Sequence, residues 1–554
     1  MNTSVKHFLK LFFFILLLCF QGCKKDNSSA PIVTDATISF TVNGIYNGTL
    51  SYKSLNLNPK VVVNFTEAIK SAEVNNIILK IENGANLNTT STLTNQNKTL
   101  EISPAKPLNS FSNYQLIIPG SLVTESGGKI INPLSINLQT GFDDTDKFPR
   151  ISDDELLTLI QRQTLKYFYD FGHPISGMAR ERNTSGDIVT TGGTGFGIMG
   201  MVVGVHRNFI SKTDALTRIQ KIVSFLKTAD KFHGAFPHWI NGNTGKVQPF
   251  SAKDNGADLV ETSFLMEGLL VARQYFNGSN ASEINLRTDI NQLYQNVEWN
   301  WFRKNNEERL LWHWSPEFNW DINLQVKGWN ESLITYVLAA SSSNYSIPKS
   351  VYDNGWAGNG SIKNGNNFYG VNLPLGPNNG GPLFFTHYSL MALNPIGLTD
   401  VYANYETQAK AHSLINHNYC VANPKKFEGY SENCWGLTAS DIKNGYTASS
   451  PTNDLGYIAP TAAISSIPYT PQESLKAIRF FYYKLGDKVW GEYGFKDAFS
   501  LSDPWFADSY LAIDQGPQIV MIENYRTGLI WNLFMSCPEV KTGLIKLGFQ
   551  SPKI

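Results

Sequence analysis

A ring of paired helices, an α/α toroid, preceded by a small all-β sandwich is the fold that three features of the sequence predict. Composition changes near residue 141, apolar residues alternate in short runs before it, and helical apolar spacing with long loops follows it. From Ala30 to Gly141, runs such as "ATISFTVNG", "KVVVNFTEAI", "NIILKIEN", "KTLEISP" and "NYQLIIPG" are separated by turn residues at the spacing of a β-sandwich. Residues 142–150, polar and containing a proline, read as a linker. Residues 151–554 then carry helix after helix. "ISDDELLTLIQRQTLKYFYDF" has 3.6-residue spacing and a capping box from Ser152 to Glu155. Thr470, Pro471 and Glu473 predict a second such box, with proline at the first helical position. Further helices are predicted in "TDALTRIQKIVSFLKTAD", "NQLYQNVEWNWFRK", "NESLITYVLAASS", "NYETQAKAHSLIN" and "QIVMIENYRTGLIWNLFM". The loops between them are long and rich in Gly, Pro and Trp, which fits a toroid better than a bundle with short connections.

Composition narrows the chemistry. The 554 residues hold 46 Lys and Arg against 46 Asp and Glu, so no global basic field exists for a nucleic-acid backbone. Residues 1–22 read as a signal peptide: Lys6 and Lys10 lead the apolar run "LFFFILLLCF", and Gly22 then Cys23 follow. The "QGC" phrase resembles a bacterial lipoprotein cleavage site with Cys23 as the lipidated residue, which anchors the protein in the cell envelope; ordinary secretion with a free Cys23 is the alternative. Five cysteines offer no C-x-x-C spacing, and Cys420 with Cys434 predicts either a disulfide or a pair of buried thiols.

The carboxylates carry the functional expectation. In "SAKDNGADLVETSFLMEGLL", Asp254, Asp258 and Glu261 share one face if the helix starts early, and Leu265, Gly268 and Ala272 continue that stripe inward. Helix capping competes as a role for Asp258. Calcium binding by the three acids is conceivable, but the loop lacks the alternating oxygen donors of a dedicated site, and no metal is assigned. Trp312, Trp314, Trp320 and Trp329 surround Glu317 and Glu331; tryptophan faces suit pyranose rings, and an acid in such surroundings has the raised pKa a general acid needs. Asp514 precedes Gln-Gly-Pro and an apolar helix, where capping and a base role compete evenly. Glu523 and Arg526, three apart, predict an internal ion pair. "GFGIMG" matches G-x-G-x-x-G, but no strand-helix context supports a dinucleotide site, and close helix packing accounts for it better. His233 and His238 lack zinc spacing and His387 stands alone, so each reads as a pocket or core residue rather than a ligand.

Phrases such as "TTGGTGFGIMGMVVGVHR", "DNGADLVETSFLMEGLL", "WHWSPE", "LPLGPNNGGPLFFTHYS" and "LAIDQGPQIVMIENYRTGLIWNLFM" resemble the glucoamylase-like proteins of glycoside hydrolase family 144. The leading segment resembles bacterial Ig-like modules. The resemblance implies an (α/α)6 toroid that hydrolyses β-1,2-glucan with inversion and without a cofactor, giving short β-1,2-linked glucooligosaccharides by endo action or sophorose by exo action. It places Asp254, Asp258, Glu261, Glu331 and Asp514 in the acidic cleft. On that reading Glu331 is the acid and Asp514 the base, with Glu261 as its rival. Asp254, Asp258 and His387 hold the sugar, while Trp312, Trp314 and Trp329 stack on it. The alternatives are a glycan-binding surface lipoprotein without catalysis, and a lyase, which the balanced charge disfavours.

Overall fold

The computed structural model describes residues 32–554, so the signal peptide and Cys23 lie outside the described residues. The chain divides into two compact units, Met1–Asp143 and Asp144–Ile554.

In the first unit, nine strands alternate buried and exposed residues: β1 (Ile38–Val42), β2 (Ser51–Leu55), β3 (Val61–Phe65), β4 (Ile78–Ile81), β5 (Asn86–Leu87), β6 (Thr89–Thr94), β7 (Thr99–Pro104), β8 (Asn113–Ile118) and β9 (Leu134–Thr140). They form two sheets, β1-β3-β7-β6 and β2-β9-β8-β4-β5. β1 shows the logic: Ile38, Phe40 and Val42 are buried while Ser39 is exposed, so one face of the strand enters the core between the sheets. Most neighbours are antiparallel, but β2 runs parallel to β9.

The second unit alternates outer and inner helices, except midway, where two inner ones follow each other. The outer ones are amphipathic: α1 (Asp153–Tyr169), α3 (Lys212–Thr228), α5 (Ala281–Gln295), α8 (Tyr405–Ala422) and α10 (Pro471–Arg479). The inner ones are α2 (Thr191–His206), α4 (Leu259–Tyr275), α6 (Leu333–Ser341), α7 (Phe384–His387), α9 (Pro460–Ser465) and α11 (Ala512–Arg526). Residues buried on every side mark α2, α4, α6 and α9 as the inner wall. α2 packs on α4 and α11, α4 on α6, and α9 on α11, which brings the last inner helix back to the first. This is the toroid that the loop lengths predicted.

Local sequence sets several of these elements. The capping box at Ser152 and Glu155 is present. The one expected at Thr470 is not: the Thr470 hydroxyl donates back to the Ser466 carbonyl, and Pro471 alone starts α10. The "GFGIMG" glycines serve close packing. A Cβ on Gly195 would strike the Phe264 carbonyl of α4, and one on Gly268 would strike the Gly195 carbonyl of α2. α11 ends at Arg526, and Gly528, with a φ of 68°, turns the chain into α12 (Leu529–Met535), so the last long apolar run is two helices. Cys420 and Cys434 are buried free thiols, so the disulfide alternative is corrected. The Glu523–Arg526 pair is also corrected: Glu523 accepts from Arg207 at 2.7 Å, and Arg526 reaches Asp154 instead.

Candidate active site

The starts of α4, α6 and α11 carry or adjoin four of the predicted carboxylates, Asp258, Glu261, Glu331 and Asp514, whose charges bear on one another or on a common neighbour, Tyr388. Asp258 is the N-cap of α4. Its Oδ1 accepts from the Val260 and Glu261 amides at 3.0 and 2.9 Å, so capping is one of its two tasks. Its Oδ2 faces His238 Nδ1 at 3.2 Å and His313 Nε2 at 3.4 Å. Asp254 is not on the helix, which begins only at Leu259; it is brought alongside by His313, whose Nε2 lies 3.3 Å from its Oδ2. The single helical stripe is therefore corrected to a cap, a helix residue and a preceding turn that converge.

His313 arrives through a short ladder in which Asp258 pairs with His313 and Ala257 with Trp314. Strand alternation points His313 at the acids and turns Trp314 the other way, onto Phe232 and His233. His238 precedes the strand Trp239–Asn241, and its carbonyl accepts from the Thr191 amide at the start of α2. Its ring stacks on Phe250 at 4.3 Å.

Glu261 is buried in the first turn of α4. Its Oε2 accepts from the Gly192 amide of α2 at 2.8 Å, and its Oε1 lies 3.8 Å from His238 Nε2. A Cβ at Gly192 would sit 2.6 Å from that Oε2, so only glycine leaves room for the carboxylate. Glu331 immediately precedes the N-cap of α6, and its carbonyl accepts from the Ser389 hydroxyl, which also accepts from the Ile334 amide.

The electrostatics separate these groups. Burial works against the charged form of Asp258, but hydrogen bonds and charge from His238 and His313 outweigh it and hold the carboxyl below its usual range. Burial also opposes the charge on His238, yet Glu261, Asp258 and Asp254 raise it to about 9, so the imidazolium is the form that faces them. Burial, then the charge of Asp258, raises Asp254. Glu261 is raised chiefly by burial. Burial, reinforced by Glu261 and Asp258, raises Glu331 to about 7, which keeps a proton on it near neutrality.

Asp514 lies in the first turn of α11 and is buried. Its neighbours were not singled out from the sequence: Asp497, Asp441, Arg182 and Tyr446. Arg182 pairs with Asp441 at 3.1 Å and with Glu181 at 2.9 Å. Tyr388 connects the two groups of acids. Burial holds its hydroxyl protonated, and the charges of Asp514, Glu331 and Glu261 all bear on it.

Two predicted sugar contacts are corrected. Trp329 is 3 % exposed and packs toward Tyr405, so it supports the loop and offers no face to a ligand. His387 is buried, meets the Ser466 hydroxyl at 3.0 Å and is pushed down to about 3 by burial, so it is a neutral core residue. Trp312 keeps a partly exposed ring beside His313. Glu317 is exposed and accepts from Asn255. His238, Asp254 and Asp258 each place one potential ligand atom within 4.8 Å of the others. In the structure those atoms are engaged in ion pairs among themselves and with His313.

Comparison with known proteins places this geometry. Residues 323–538 match the family described as putative glucoamylase, and residues 34–142 match the bacterial Ig-like domain. An exo β-1,2-glucooligosaccharide sophorohydrolase (non-reducing end) of Parabacteroides distasonis is 47% identical over 420 residues, which are 72% of this chain and 58% of the relative. The chain thus spans little more than half the length of that relative. Among solved structures, a putative glucoamylase from Bacteroides uniformis is 57% identical with a TM-score of 0.72, over 74% of this chain and 100% of its own. The endo-β-1,2-glucanase from Chitinophaga pinensis, in complex with sophorotriose and glucose, is 51% identical over 73% of this chain and 100% of its own, also with a TM-score of 0.72.

Proposed function

The chain belongs to the glucoamylase-like family, glycoside hydrolase family 144, with a bacterial Ig-like domain before it, and we propose that it is a glycosidase that hydrolyses β-1,2-glucan. The observation that carries this reading is the contrast between carboxyls around one cleft: Glu331 keeps its proton to about pH 7, while Asp514 approaches from another inner helix. Inversion needs an acid on the leaving oxygen and a base on a water at the opposite face of the sugar. Glu331 is the acid. Asp514 is favoured over Glu261 as the base because Glu261 is already held by the Gly192 amide and His238, on the side of the cleft where it bears on Glu331. Asp254 and His238 face the sugar hydroxyls, Asp258 and His313 hold those two groups in place from behind, and Trp312 supplies an apolar face.

Purified protein incubated with β-1,2-glucan, with products separated over time, tests the reading. A ladder of β-1,2-linked oligosaccharides means endo action and sophorose alone means exo action. No product at all would contradict hydrolysis and leave a glycan-binding protein. We further infer that Cys23 carries a lipid that anchors the enzyme in the cell envelope, supported by the "QGC" phrase after the apolar run. Labelled palmitate is expected in the wild type and not in Cys23→Ala; label retained by the variant would refute this.

A further inference from the structure

We propose that Asp497 is the positioning residue of Asp514: the two enclosed carboxyls hold one proton between them and act as a single base unit. The proposal builds on the hydrolytic reading above.

Both side chains are 2 % exposed. Asp514 Oδ2 and Asp497 Oδ1 are each fully enclosed and meet no donor of the protein. Yet the two side chains lie within hydrogen-bonding reach of each other. Two carboxylates cannot form such a bond, because neither has a hydrogen to give; one proton on the pair satisfies both oxygens. Leaving two like charges side by side in this interior would be costly, as in other carboxyl pairs that share a site.

The rest of Asp497 is fixed. Its Oδ2 accepts from the Asp441 amide at 2.6 Å, and its own amide donates to the Ser509 carbonyl at 3.0 Å. Asp441 is in turn anchored, its carboxylate accepting from Arg182 at 3.1 Å and from the Ser509 hydroxyl at 2.5 Å. The charges facing the pair are Asp441 and Arg182, with Glu181 behind Arg182, and the hydroxyls are Tyr446 and Tyr388. One positive charge stands against two negative ones there, so the surroundings favour retention of a proton on the pair. Burial supports this, raising Asp497 to about 7 and Asp514 further.

At rest the shared proton sits on Asp514, the more strongly raised of the two; in the reaction it first passes to Asp497, which leaves Asp514 as the carboxylate. A water O–H bond breaks, its proton goes to Asp514, and its oxygen bonds to the anomeric carbon. The glycosidic C–O bond breaks, and the leaving oxygen takes the proton of Glu331. The pair then carries two protons and Glu331 none, and exchange of one proton with solvent on each side restores the start.

Infrared difference spectra of the full chain at neutral pH, without substrate, count protonated carboxyls by their C=O stretch. Asp497→Asn, Asp514→Asn and the double variant, each confirmed as folded by its melting curve, are each expected to lose the same single band. An amide in either position donates to the remaining carboxylate and removes its need for the proton. Losses that add in the double variant, a loss confined to one single variant, or no loss would each overturn sharing. On β-1,2-glucan, Asp497→Asn is expected to lower kcat by about tenfold or more with KM nearly unchanged. An unchanged kcat would overturn the positioning role. A wild type inert on β-1,2-glucan that still shows the shared band would refute the substrate and leave the pair intact.

Discussion

Replacing Glu331 by glutamine is expected to lower kcat on β-1,2-glucan by about 10² to 10⁴-fold, the usual worth of a general acid, while oligosaccharide binding stays near the wild-type value. Glutamine preserves the shape of the group that precedes α6 and removes only the transferable proton. The wild-type rate is expected to fall as pH rises through about 7, because burial and the nearby charges of Glu261 and Asp258 hold the Glu331 proton up to that point. Steady-state kinetics over a pH series, with calorimetric binding of an oligosaccharide, checks both parts. A Glu331→Gln enzyme of near-normal kcat would remove Glu331 from the chemistry.

Asp258→Ala is expected to be the most destabilising change in the site. It removes the cap from α4, worth about 1 kcal/mol, and leaves His238 and His313 facing an empty position. Breaking a buried charged pair by deleting one partner costs about 3–5 kcal/mol. The sign of the pH dependence follows from the two shifts. Asp258 is held below its ordinary value, so its contribution is present above about pH 4 and fades as pH falls. His238 is raised to about 9, so its contribution is complete below its ordinary 6.5 and is lost as pH rises through about 9. The loss in the variant is therefore expected to be largest between about pH 4 and 6.5. Denaturant unfolding of both proteins at pH 5, 7 and 9 measures it. Equal stability of variant and wild type at pH 5 would contradict the pairing.

The parts of this site that were legible in the sequence were those governed by near neighbours on the chain. Helical spacing put Glu261 on the inward face of α4 with Leu265, and the small residues of "GFGIMG" pointed to close helix packing, which the structure makes between α2 and α4. Alternation in β1 and its companions gave the sandwich. Asp254 shows the limit: the helix was expected to start early enough to carry it, but α4 starts at Leu259, and a histidine from a distant strand holds it instead.

What was not legible depends on closure of the ring. His313 stands 55 positions after Asp258 and meets it only because the ladder between Ala257–Asp258 and His313–Trp314 forms. One signal was available: between Trp312 and Trp314, a strand would place His313 alone on the opposite face. Asp497 and Asp514 lie 17 positions apart, with a loop and strand pair between them, and no periodicity joins them. Arg207 lies 316 positions before Glu523 and reaches it from the end of the neighbouring α2, which is why a local i, i+3 partner was the wrong expectation. Trp329 looked like a stacking platform by composition, but the loop packing that buries it against Tyr405 is a tertiary property.

In the proposed reaction Glu331 and Asp514 act from opposite faces of the sugar on a β-1,2-linkage, in one displacement that inverts the anomeric carbon. Proton NMR of the earliest products released from β-1,2-glucan by the wild-type protein tests it most directly. The newly formed reducing end is expected to appear first as the α-anomer and then to mutarotate. Its first appearance as the β-anomer would rule out inversion by Glu331 and Asp514.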